Sequence, residues 1–89
     1  MAIRRTESTR RRRELEAFAA FEDYCEANPR SPSAVRRPAL TLRGPSWVAL
    51  LGSSLEDGIA GFGGTVKAAL RAFDLQYRKS LHPGSEDSR

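Results

Sequence analysis

Side chains able to do chemistry near neutral pH are few here and far apart. The sequence holds one histidine, His82, and one cysteine, Cys25. Acid–base or nucleophilic catalysis needs groups that converge, with a partner or burial to part their pKa values. His82 stands beside Pro83 in a polar stretch, and Cys25 falls on the apolar face of a helical pattern. Glu56 and Asp57 are adjacent carboxylates, but they sit in a turn without apolar neighbours, where a turn-forming role suits them. A single cysteine closes no internal disulfide, and one histidine supplies no set of soft metal ligands. These residues predict a protein that is not an enzyme and has no catalytic residues, metal or cofactor.

Arginine supplies the remaining chemistry. Up to Arg43 there are ten arginines and six acids; from Gly44 onward five lysines and arginines meet five acids, so the whole net charge of +4 lies in the first half. Arg4, Arg5, Arg10, Arg11, Arg12, Arg13, Arg36 and Arg37 could together bind phosphates, which makes nucleic acid one candidate partner. The plainer reading is a solvated basic face. Arg10 to Arg13 fall in the first turns of a helix, where the macrodipole favours acids over bases. The glycines of Gly61-Phe62-Gly63-Gly64-Thr65-Val66 precede a helix, as a phosphate loop would. No Gly-Lys-Ser/Thr follows, however, and the third spaced glycine of a dinucleotide fingerprint is missing. The run reads instead as a tight junction between strand and helix.

The elements that must position these groups follow from periodicity. Residues 1–8 are expected to be a disordered basic end, with Thr6 or Ser8 capping a helix that runs to about Glu26. Leu15, Phe18, Phe21, Tyr24 and Cys25 share one arc of that helix. Pro29, Pro32 and Pro38 mark residues 27–38 as an extended connector. From Ala39 the pattern alternates: Leu40 and Leu42 point one way, and Gly44-Pro45 turns the chain. Trp47 to Leu51 are apolar on both faces, as a central strand would be, and Ile59 to Gly63 make a thinner third strand. Thr65 caps a second helix from Val66 to about Leu81, with Val66, Ala69, Leu70, Phe73, Tyr77 and Leu81 on one stripe and Lys67, Arg71, Asp74 and Arg78 on the other side. Leu75 lies outside the stripe. The expected core comprises Phe18, Phe21, Cys25, Leu40, Leu42, Trp47, Val48, Leu50, Ile59, Phe62, Val66, Leu70, Phe73 and Tyr77. Trp47 and Tyr77 could stack on bases, but their spacing assigns them to that core.

The fold class expected is α+β: a helix, a three-stranded antiparallel meander and a C-terminal helix on the sheet, in a single domain over residues 9–81 with a disordered tail at 82–89. With 89 residues the core is of marginal size, so a protein partner or a homodimer is expected. Hydrophobic residues at 39%, charged residues at 29% and a mean hydropathy of −0.52 suit neither a disordered tail nor a membrane protein. No run approaches the roughly 20 apolar residues of a spanning helix, and the basic N-terminus has no apolar segment behind it, so a cytoplasmic location is expected.

Trp47-Val48-Ala49, the Gly58 turn, Gly63-Gly64-Thr65, and Val66 followed by Ala69-Leu70 form a pattern that resembles the HicB-type antitoxin half-domain, over residues 40–81. The resemblance implies a partly open sheet with a helix on one face, by which relatives bind and block a small toxin ribonuclease, often as oligomers.

Overall fold

The alternation at Ala39 and the apolar run after Gly44-Pro45 fold as a hairpin. In the computed structural model, which describes residues 2–81, strand β1 (Ala39–Arg43) pairs antiparallel with β2 (Ser46–Leu51), and Arg43 stands opposite Ser46. Gly44 takes φ +60° in the two-residue turn. Proline, with its fixed negative φ, follows, which is the order of signs in a type II′ hairpin. The third strand, β3 (Ile59–Gly63), pairs antiparallel with the other side of β2, giving a sheet of order β1-β2-β3.

Three helices lie on one side of this meander. They are α1 (Ala2–Ala27), α2 (Pro32–Arg36) and α3 (Val66–Leu81). Thr65 caps α3, its Oγ1 accepting from the Ala68 N–H at 3.1 Å. The helix then passes directly over β3. A Cβ on Gly61 would stand 2.6 Å from Phe73 Cα, and one on Gly63 would stand 2.5 Å from Ala69 N. The two glycines therefore let a helix backbone approach a strand backbone, beyond the turn-making role expected of them.

Val66, Ala69, Leu70 and Phe73 of α3 form the core with Ala49 and with Ala17, Phe21, Tyr24 and Cys25 of α1. Leu40, Trp47, Leu51, Ile59 and Tyr77 are half-buried against it. Val48 is buried on the opposite face of the sheet, between its cross-strand partners Thr41 and Phe62, and Leu50 is half-buried beside it.

The architecture agrees with the α+β expectation; several details do not. The first helix begins at Ala2 and passes through Thr6 and Ser8 without stopping. The connector holds α2, because Ser31 caps it, accepting from the Ala34 N–H at 3.1 Å, and Pro32 occupies the first turn, where its missing N–H costs nothing. Three residues expected in the core are exposed: Phe18 at 61%, Phe62 at 55% and Leu42 at 37%. Phe18 and Leu15 stand to the side of the buried line of Ala17, Phe21, Tyr24 and Cys25, because α1 is turned so that this line, and not the wider apolar arc, meets the core. Phe62 alternates away from α3, and Leu42 faces the open groove between α1 and the β1–β2 turn. Asp74, expected in solvent, is 3% exposed. The tail expected at 82–89 lies outside the described residues.

Candidate interaction surface

The three strands divide their side chains strictly. Leu40, Leu42, Trp47, Ala49, Leu51, Ile59, Gly61 and Gly63 share the helix side, as their cross-strand partnerships require. Thr41, Val48, Leu50, Ala60 and Phe62 share the other side, which no helix of the described residues covers. Phe62 is the large exposed residue of that face, and no charged residue lies on β3. Both outer strands have one unpaired edge. The β1 edge ends in Arg43, whereas β3 has neither charge nor proline, the usual guards against strand addition.

Two grooves flank the sheet. One, of about 600 Å³, lies between α1 and the β1–β2 turn, with Ala17, Ala20, Leu42, Trp47 and Val66 in its wall and Arg13 and Lys67 at its margin. The other, of about 640 Å³, follows β3 below α3 and takes in Leu55 from the preceding loop.

The most connected polar group is not at either groove. Asp74 accepts from Tyr24 Oη at 2.6 Å, from the Ser33 N–H at 2.8 Å and from Ser33 Oγ at 2.7 Å, which joins α1, α2 and α3 at one carboxylate. Burial, then the hydrogen bond to Asp74 and its negative charge, push the Tyr24 phenol up to about 12, against the opposing charges of Arg71 and Arg78. All three donors to the carboxylate come from within the chain, and none of Tyr24, Ser33 and Asp74 lines either groove. Its role is to hold the helices together. Burial also pushes the Cys25 thiol up, so the residue is a poor nucleophile.

The arginines do not form one site. Arg11, Arg12 and Arg13 are exposed on α1, and the helical backbone also carries Arg4, Arg5 and Arg10. Arg36 donates from Nε to Tyr77 Oη at 2.8 Å and lies 5.7 Å from that ring's centroid. Arg37 pairs with Glu22 and lies 4.9 Å from the Phe21 ring centroid. Both are engaged within the fold, at the far end of α1 from Arg11. Among the described residues no group of three His, Cys, Asp or Glu could hold a metal, and no helix is long and apolar enough to cross a membrane.

Sequence reasoning missed Asp74 and the groove beside β3. The first had no local signal, since its donors come from 41 and 50 positions away. The second had as its only local trace the uncharged run from Ile59 to Gly63, whose glycines read as turn-makers. No family model, curated protein or solved structure matches this chain.

Proposed function

We propose that this chain is a non-catalytic interaction module that binds a partner protein through its sheet, by the uncovered face or a free edge. The observation that carries this reading is Phe62, more than half exposed on a sheet face with no helix over it and on a strand with no charge. Leaving half of such a ring in water forgoes roughly 1–1.5 kcal/mol of burial, which a partner would recover. The resemblance of residues 40–81 to a HicB-type half-domain points to a small toxin ribonuclease as the class of partner, and to occupation rather than chemistry as the mode of action.

A photo-crosslinking residue placed at Thr41 or Phe62 in the full chain, expressed in its native cells, tests the reading. The expected result is one discrete protein adduct that disappears when lysine is placed at the other of these two exposed positions. A chain that yields no adduct and migrates as a monomer at micromolar concentration overturns it.

Nucleic-acid binding is the second reading, favoured by the exposure of Arg11, Arg12 and Arg13 at consecutive positions of α1. Phosphate contacts by these three would give a log–log salt slope of about −2 to −3. Their replacement by alanine would abolish nucleic-acid binding and leave sheet-mediated protein binding intact.

A further inference from the structure

The groove beside β3 straddles the edge of the strand. Ile59 lines it from the helix side of the sheet, Ala60 and Phe62 line it from the open side, and Gln76 and Lys79 of α3 close it from above. A cavity that meets both faces of an outer strand runs along its unpaired backbone, where every second residue turns its N–H and C=O outward. Leu55 stands at its loop end.

What fits there is limited by α3. The glycine contacts place this helix straight above β3, so with its side chains it overhangs the edge by about 5 Å, close to one strand spacing. A second copy pairing through its own β3 would bring its α3 to about 5 Å from this one, on the same side of the joined sheet. Packed helices need about 8–10 Å between axes. Symmetric β3-to-β3 pairing of two copies is therefore excluded, whereas a lone extended segment fits beneath the overhang. Lys79 is the one charged residue among those lining the groove, and no acid accompanies it.

We infer that β3 and α3 form a slot for one extended peptide segment of another protein, added as a fourth strand, with apolar side chains at alternate positions and a carboxylate against Lys79. Main-chain hydrogen bonds would hold the segment, Phe62 and Leu55 would meet its apolar side chains, and Lys79 would set its register. The inference rests on the proposed interaction role and names the site and the form of its occupant.

The test selects displayed random heptapeptides against the full chain and then maps the winners by amide shifts of the labelled protein. Selected peptides are expected to alternate apolar residues, to carry an acid, and to move Ile59 to Gly63 with Gln76 to Ser80. N-methylation of alternate peptide nitrogens should weaken binding by about tenfold or more at each outward-paired position and leave the intervening ones unaffected. Lys79→Glu should turn the preference from acidic to basic peptides. Failure to select any peptide, shifts confined to Ala39 to Arg43, or indifference to N-methylation overturns the slot. A crosslinker at Gln76 separates this from the wider reading. A cellular partner captured from Thr41 and not from Gln76 removes the slot and keeps the interaction module, and capture from neither position removes both.

Discussion

Replacing Asp74 should unfold much of what the helices have in common. Asp74→Ala removes the acceptor of three donors in a site where the residue is 3% exposed. Ser33 Oγ retains Leu70 O, 3.2 Å away, as an alternative acceptor, but Tyr24 Oη and the Ser33 N–H have no second partner among the described residues. Each buried donor left without a partner costs about 1–3 kcal/mol, so the loss is about 2–6 kcal/mol. A domain of this size has roughly 4–12 kcal/mol in all, at about 0.05–0.15 kcal/mol per residue. Asp74→Asn keeps the shape and one acceptor and loses the charge assistance, for about 1–2 kcal/mol. Tyr24→Phe removes one charge-assisted bond, for about 1.5–3 kcal/mol. Urea unfolding followed through Trp47, the one tryptophan, measures all three. If Asp74→Ala stays within about 1 kcal/mol of the parent with an unchanged slope, the carboxylate is not what joins the helices.

The remaining predictions concern the same contacts and those beside them. Folding raises the Tyr24 phenol from 10.0 to about 12, so the native state holds this proton more tightly than the unfolded chain does. The resulting stability, about 2–3 kcal/mol, is complete below about pH 10 and lost as the pH rises towards 12. It should be absent in Tyr24→Phe, and phenolate absorbance of the two proteins should differ over that interval. Gly61→Ala should cost about 1–3 kcal/mol or more in chemical denaturation, because its methyl meets the α3 backbone, whereas Gly64→Ala, with nothing within 4 Å, should change stability by about 0.5 kcal/mol or less. Arg37 holds φ +51° at the end of α2. Arg37→Ala should lower the urea midpoint slightly by removing the exposed pair with Glu22, and Arg37→Gly should recover part of the loss, since glycine adopts that φ without strain.

Much of the fold was readable because it is written locally. The alternation of Ala39 to Arg43, the Gly44-Pro45 turn and the stripe from Val66 to Leu81 each specify their element within a few residues, and the strands and α3 lie where these patterns put them. Errors arose where a neighbour distant in sequence decides the outcome. Phe18 matches the apolar arc of α1 as well as Phe21 does, yet the helix is turned so that Ala17, Phe21, Tyr24 and Cys25 meet the core and Phe18 does not. Asp74 sits among Lys67, Arg71 and Arg78 on the polar flank of α3, and only the arrival of Ser33 and Tyr24 turns that flank inward. The short helix α2 was a different case, since Ser31-Pro32 is a helix start in its own right and was outweighed by the prolines on either side.

These errors share a cause that bears on function. Asp74 draws α1 and α2 to the flank of α3 away from the β3 edge, so all three helices compete for one side of the sheet. Phe73, Leu70 and Ala49 are thereby sealed, while Val48, Leu50 and Phe62 are left with only one another on the far side. A core of marginal size would gain from folding a helix over that face as well, and α1 has the length to supply it: 26 residues, or about 39 Å. Instead α1 gives its line of Ala17, Phe21, Tyr24 and Cys25 to the core on the α3 side and leaves Leu15 and Phe18 exposed. Among the described residues the apolar sheet face and the β3 edge stay open because the buried carboxylate commits the helices to the other side, and the proposed partner binding would use what this leaves exposed.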